Sequence, residues 1–294
     1  MNIHELRGCG TALVTPFRNG QVDYDAFAAL VDYQIKGGVD FLVPLGTTGE
    51  TPCLTDEEKI KALTIAKEHS CGKPVVAGVG TNSLEHTIAN IRLLEPHGVD
   101  VFLVVVPYYN KPPQEGMYQY YKAVAASTCK PIILYNVPGR TGMTIKPETY
   151  VELAKHERIV ATKEACGDIS MIQQVAALCG DNLTIYSGND DQILPIMALG
   201  GKGVISVLSH VAPRATHDIA RKYLDGDVIG SRNLQLEYLD LCNALFCDVN
   251  PIPVKEAMNM CGWNVGRCRM PLGQMDDATK AVLYNALAKH GLAK

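Results

Sequence analysis

The sequence predicts an α/β fold: a (β/α)8 TIM barrel over residues 1–224 with a C-terminal helical appendage over residues 225–294. Three observations predict it. Short runs rich in Val, Ile and Leu recur roughly every 25 to 35 residues, each followed by a segment of 3.6-residue apolar periodicity. The runs are continuously apolar rather than alternating, as in strands covered on both faces, which marks a parallel sheet. The count of such units is eight, the number at which parallel βα repeats close on themselves; a doubly wound open sheet is the alternative.

Taken in order, the strands are "GTALVTPF" (10–17), "DFLVPLG" (40–46), "PVVAGVG" (74–80), "DVFLVVVP" (100–107), "PIILYNVP" (131–138), "RIVATKE" (158–164), "LTIYSG" (183–188) and "GVISVL" (203–208). Between them, "TDEEKIKALTIAKEHSCG" reads as a helix opened by a capping box of Thr55 and Glu58 and stopped at Gly72. "SLEHTIANIRLLEPHG" ends in the same way at Gly98. After about residue 224 only helical text remains: "DVIGSRNLQLEYLDLCNALF", "PIPVKEAMNMCG" and "DDATKAVLYNALAKHG".

Composition narrows the function. A length of 294 residues, with 47% hydrophobic and 20% charged residues, fits one ordinary globular barrel with an appendage. A net charge of −4 without a basic cluster argues against nucleic acid and anionic membranes as partners. No apolar run is long enough to span a bilayer, and "MNIHELRGCGTALVTPF" lacks a basic, then apolar leader, so a cytoplasmic location is expected. Ten cysteines, scattered from Cys9 to Cys268 without a CxxC pair, are expected to be reduced thiols. Eight histidines without HExxH or a CxxC beside them give a metal site no support.

In a barrel the chemistry belongs at the C-terminal strand ends, and these are the polar ends here: "GTTGE", "GVGTN", "VPYYN", "YNVPGR", "TKEACGD", "YSGND" and "VLSH". "GVG" at 78–80 fails as a dinucleotide fingerprint because Ser83 stands where a third glycine is required. In "GTTGE", the N–H groups and hydroxyls of Thr47 and Thr48 suit a small carboxylate. Lys163 lies inside an apolar strand, where desolvation disfavours the ammonium form and makes a nucleophilic amine available for a Schiff base. The alternative is a lysine paired with Glu164 or Asp168 or reaching to solvent, but Glu164, its neighbour, faces the other way on an extended strand, which weakens that pairing. Proton shuttling then needs a second group, and Tyr135 at the end of the fifth strand is the candidate; His210 is the one histidine at a strand end. Arg140, in the loop after that strand, can clamp a carboxylate with its planar fork.

"GTTGE", "PYYNKPPQEG", "YNVPGRT", "TKEACGD" and "SGND", in this order, resemble the dihydrodipicolinate synthase family of pyruvate-dependent class I aldolases, from about residue 5 to the final helices. The resemblance implies a lyase that condenses pyruvate with L-aspartate 4-semialdehyde on the way to diaminopimelate and lysine. No cofactor is implied beyond the covalent imine with pyruvate. Lys163 would form that imine, Thr48 and the backbone near Ile205 would hold the pyruvate carboxylate, and Gly188 would join the substrate-binding set. Tyr135 would donate and accept protons through a relay of Thr47 and Tyr109, with Tyr109 lent by a neighbouring subunit and Tyr108 turned toward the subunit interface. Arg140 would hold the carboxylate of the semialdehyde or product. A homotetramer, a dimer of dimers, is implied.

Two departures stand out. The positions forming the lysine-feedback pocket of inhibited members correspond to Asp56, Lys59 and His86, and Lys59 would repel a lysine ligand, so feedback inhibition is expected to be weak or absent. Cys166 replaces a frequent threonine, and a thiol near Lys163 is either oxidation-sensitive or merely buried. An N-acetylneuraminate lyase or other sugar-acid aldolase shares the lysine and tyrosine, but a carboxylate clamp at Arg140 suits the synthase. A non-catalytic binding protein is disfavoured because the lysine, tyrosine and threonine are all retained.

Overall fold

All eight apolar runs form parallel strands: β1 (Gly8–Ala12), β2 (Phe41–Val43), β3 (Val76–Gly78), β4 (Val101–Val105), β5 (Ile132–Asn136), β6 (Ile159–Glu164), β7 (Thr184–Ser187) and β8 (Gly203–Ser206). The structure is a computed structural model and describes residues 6–294. The strands follow the order β2-β1-β8-β7-β6-β5-β4-β3, and a parallel bridge between Leu42 and Val75 joins the two ends of the sheet. The result is a closed TIM barrel.

Its continuously apolar strands feed two cores, because successive side chains point to opposite faces. Phe41, Val43, Leu103, Ile133, Tyr186 and Ile205 fill the barrel interior. Leu42, Phe102, Val104, Leu134, Ile185 and Val204 face the surrounding helices. In the interior layer the Phe41 and Tyr186 rings meet edge to face, with centroids 5.9 Å apart. Burying each such side chain contributes about 1.5–3 kcal/mol, so both layers are needed to hold the ring shut.

The first strand differs from the expected 10–17. It occupies Gly8–Ala12, and the chain then leaves the sheet for a small hairpin pairing Phe17–Arg18 with Gln21–Val22. The cause is written in "FRNGQV": Asn19 and Gly20 both take positive φ, 52° and 78°, the requirement of a two-residue hairpin turn. The capping box forms as expected, with Thr55 and Glu58 bonded reciprocally, but that helix spans Asp56–Glu68 and stops short of Gly72. The next helix, Leu84–Leu94, continues as a 3-10 turn to Gly98 at φ 90°.

The C-terminal text folds as helices Val228–Glu237, Leu239–Ala244, Ile252–Met260 and Asp277–Lys289. These are anchored to the barrel: Gln235 Nε2 donates to the Asp190 carbonyl at 2.9 Å, and Ser231 Oγ to the Ile219 carbonyl at 2.7 Å. Between the last two helices an irregular strap returns to the barrel mouth, a feature without a periodic signal in the sequence. All ten cysteines are free. No helix among the described residues is long and apolar enough to cross a membrane.

Candidate active site

Lys163 and Tyr135 meet because β5 and β6 are in register, pairing Tyr135 with Lys163 and Asn136 with Glu164. A register shift precedes them: Ile132 pairs with Ile159, whereas Ile133 pairs with Ala161. The extra residue, Val160, forms a bulge that changes which residues of β6 point inward, and a slip of one residue exchanges the two faces of a strand. With that phase Ala161 and Lys163 look into the barrel. Lys163 is 6% exposed, and its Nζ lies 4.3 Å from the centroid of the Tyr135 ring. It makes no ion pair among the described residues.

Glycine at 188 lets the chain pass close to Ala165 and to this lysine. A Cβ built there would come within 3.0 Å of Lys163 Cε and 2.8 Å of Ala165 Cβ. Gly188, expected to bind substrate, is thus placed beside the amine. Ile205 is buried in the interior layer on β8, and the turn that follows is tied by Asp190, whose carboxylate accepts from the backbone N–H groups of Val207 and Leu208 at 2.9 and 2.8 Å. Burial raises the Asp190 carboxyl, opposed by its hydrogen bonds and by the charge of Lys163. Asp190 escaped the sequence reading although it ends the motif "SGND".

The "GTTGE" turn is a single 3-10 turn, Thr47–Gly49, between residues of positive φ, Leu45 at 61° and Glu50 at 55°. Thr47 faces the cleft above the barrel. Thr48 is buried, and its hydroxyl accepts a hydrogen bond from Asn250 Nδ2 at 2.9 Å. Behind the turn, Glu50 is gripped by Lys255 Nζ at 2.7 Å and by the Arg269 backbone N–H at 2.8 Å. Arg269 also forks onto Glu58, and both cations lie over the Phe17 ring. The hairpin, the turn and the C-terminal strap are thereby one unit.

Arg140 is exposed on a helical turn, Pro138–Thr141, and its Nη2 donates to the Asn250 carbonyl at 3.0 Å. Asn250 therefore touches both candidate carboxylate-binding residues, Thr48 and Arg140, and its own Oδ1 is a buried acceptor without a partner. It too escaped the sequence reading; the available signal was an Asn-Pro pair opening a helix.

A cavity of about 410 Å³ opens above the barrel, its wall including Thr47, Tyr108, Tyr135, Arg140, Asn250 and Leu272. Lys163, Thr48, Gly188 and Ile205 are not part of that wall. The adjacent tyrosines divide: Tyr109, at φ 73°, is 87% exposed, while Tyr108 lines the cavity. The left-handed backbone at Tyr109 sends the two side chains apart, so that Tyr108, expected to turn toward a subunit interface, lies on the cavity wall of its own chain. Within one chain no hydrogen bond joins Tyr135 to Thr47 or Tyr109 among the described residues.

Other candidates are accounted for by their surroundings. His210 is fully buried, its Nε2 accepting from the Val14 N–H at 3.1 Å and its Nδ1 facing the Val207 carbonyl at 2.9 Å. Burial pulls it down to about 4, so it is a neutral brace rather than a proton shuttle at neutral pH. The Cys166 thiol is pushed up to about 12 by burial and the charge of Glu164, which leaves it little thiolate character. Gly78 and Gly80 allow backbone contact: Cβ atoms there would lie 2.0 Å from the Leu45 carbonyl oxygen and 2.5 Å from the Val105 nitrogen. Lys59 pairs with Asp56 at 2.9 Å and lines the cavity, whereas His86 is exposed in the first turn of the helix Leu84–Leu94.

Residues 5–290 match the dihydrodipicolinate synthetase family. The chain belongs to this family. A 4-hydroxy-tetrahydrodipicolinate synthase of Lachnoclostridium phytofermentans is 47% identical over 288 residues, 97% of this chain and 98% of the relative. Among solved structures, dihydrodipicolinate synthase from Thermotoga maritima superposes with a TM-score of 0.95 at 42% identity, covering 97% of this chain and 99% of that one. A monomeric dihydrodipicolinate synthase variant does so with a TM-score of 0.95 at 41% identity, covering 97% of each.

Proposed function

We infer that the chain is a lyase that condenses pyruvate with L-aspartate 4-semialdehyde to 4-hydroxy-tetrahydrodipicolinate, in lysine and diaminopimelate biosynthesis. Its family membership, and relatives bearing that name over nearly their whole length, support the activity. The observation that carries the residue roles is the Lys163–Tyr135 contact at 4.3 Å, at the C-terminal end of the barrel strands. As a free amine Lys163 attacks C2 of pyruvate; the carbinolamine loses water to give an imine, and loss of a C3 proton gives the enamine nucleophile. The enamine adds to the semialdehyde's aldehyde carbon, and the semialdehyde's own amine then displaces Lys163 and closes the ring.

Tyr135 moves protons in these steps. Thr48 and the backbone at Ile205 hold the pyruvate carboxylate, and Gly188 leaves room for the imine beside the amine. Arg140, held by Asn250, binds the second carboxylate from the cavity side, which favours the synthase over a sugar-acid aldolase. Thr47 and Tyr109 complete the proton relay, with Tyr109 supplied by a second copy; its exposure, and the absence among the described residues of a hydrogen bond to its own Tyr135, support that reading. A homotetramer built as a dimer of dimers satisfies this sharing. Residues 225–294 act as a separate helical unit whose strap closes the cavity. Lysine inhibition is weak or absent.

Borohydride reduction in the presence of pyruvate tests the chemistry: a three-carbon adduct is expected on Lys163, and Lys163→Ala is expected to abolish it. Arg140→Ala should keep the adduct while kcat/KM for the semialdehyde falls about 100-fold, the loss of one bidentate carboxylate contact. Adduct on another side chain would overturn the role of Lys163, and unimpaired Arg140→Ala turnover would return the sugar-acid aldolases to contention.

A further inference from the structure

Directly behind the Lys163–Tyr135 contact, on the outer face of the sheet, their chain neighbours form a second contact. Asn136 Nδ2 donates to Glu164 Oε2 at 3.0 Å, and both residues are fully buried. The Tyr150 hydroxyl donates to Glu164 Oε1 and also lies 3.1 Å from Thr162 Oγ1. Asn136 reaches further: its Oδ1 accepts from the Ile145 N–H at 3.2 Å and its Nδ2 donates to Thr144 Oγ1 at 3.1 Å. The loop that follows Arg140 is thereby fastened to the same cluster.

No cation pairs with Glu164 among the described residues. A buried carboxylate served only by neutral donors is costly, and a packed apolar side chain of similar volume would be cheaper at this position. Its location shows what the cost secures. β5 ends at Asn136 and β6 ends at Glu164, the last paired residues of the two strands, which separate beyond them. The last backbone bond between them is from the Ala165 N–H to the Asn136 carbonyl at 2.9 Å. A side-chain tether between Asn136 and Glu164 reinforces this last rung of the sheet ladder.

We propose that Glu164 is a positioning residue: gripped by Asn136 and Tyr150 behind the sheet, it fixes the spacing of Lys163 and Tyr135 in front of it. The inference rests on the reading that Lys163 and Tyr135 act together. A misplacement of about 1 Å between reacting groups costs on the order of 100-fold in rate. Glu164→Leu, which cuts both bonds at similar volume, should lower kcat about 10- to 100-fold, leave KM for pyruvate within about twofold, and keep the final yield of borohydride-trapped adduct. Glu164→Gln retains an acceptor for Asn136 and an amide toward Tyr150, and should stay within about threefold of the parent kcat.

A merely structural role would lower adduct yield and turnover together, in step with loss of folded protein, and would overturn the proposal. So would a folded Glu164→Leu enzyme with unchanged kcat. If Glu164→Leu does not fold, Tyr150→Phe decides: it keeps the ring and removes one donor, and should lower kcat severalfold without moving KM for pyruvate, whereas an unchanged kcat ends the idea. Lys163→Ala separates the two levels, because pyruvate trapping that survives it refutes Lys163 as the imine-forming residue, whatever Glu164 does.

Discussion

Glu50 and Glu164 are both buried carboxylates, 2% and 0% exposed, each immediately behind a loop or strand that carries site residues, yet their surroundings are opposite in kind. Glu50 is neutralised by the ammonium of Lys255, which is itself only 2% exposed in its side chain, and accepts a backbone N–H as well. Glu164 has two neutral side-chain donors and no counter-charge. Burial therefore pushes Glu164 up to about 7, with the bonds from Tyr150 and Asn136 pulling back. The chain thus holds its "GTTGE" turn with charge and the strand pair that carries Tyr135 and Lys163 with directional hydrogen bonds. The two devices must break differently.

The largest effect is expected from splitting the charge pair. Lys255→Met leaves the Glu50 carboxylate buried without its partner, and removing one member of a buried pair costs about 3–5 kcal/mol. Urea denaturation at pH 7 should show a destabilisation of that order. The double variant Glu50→Gln with Lys255→Met should recover most of it, because no lone charge remains. A Lys255→Met protein as stable as the parent would mean that the pair is solvated in practice, and the contrast with Glu164 would dissolve.

The opposite sign is expected at Glu164. A carboxyl raised from 4.5 to about 7 in the folded chain binds its proton more tightly folded than unfolded. Its contribution to stability is fully present below about pH 4.5 and is lost as pH rises through about 7. Glu164→Gln, uncharged at every pH, should therefore exceed the parent in stability by about 3 kcal/mol at pH 8, and the advantage should shrink toward zero near pH 4.5. Denaturation series at the two pH values check this. A pH-independent difference would show that packing, not ionisation, separates the two proteins.

Much of this contrast was open to reading in the sequence, and the remainder was closed for identifiable reasons. The barrel was legible because doubly covered strands are apolar at every position, and Lys163 and Glu164 stood out as charges inside such a run. That they face opposite ways followed from strand alternation. Which of them faces inward did not, since the bulge at Val160 sets the phase and leaves no residue-type signature. Glu50 read as the end of a turn motif, but its partner lies 205 positions away, beyond the reach of any local pattern. Asn250 and the strap residue Leu272 were hidden likewise, because a loop folding back over the mouth has no period to detect.

A third charged pair sharpens the comparison from the weak side. Lys59 and Asp56 form a 2.9 Å contact one turn apart at the start of a helix, but the Asp56 side chain is 61% exposed and water screens it. Such pairs contribute about 0.2–1 kcal/mol, so Asp56→Ala should alter stability by less than about 1 kcal/mol, the smallest effect of the series. The functional consequence of Lys59 is separate from its pairing. Lys59 lines the cavity, where an incoming lysine would have to set its own cation against a residue of like charge. Steady-state assays with added lysine should accordingly show little loss of rate, and Lys59→Ala, which removes the repulsion, should bring the inhibition curve to lower lysine concentration. Strong inhibition of the parent chain, unchanged in Lys59→Ala, would place the effector away from this residue and leave Lys59 as a surface charge only.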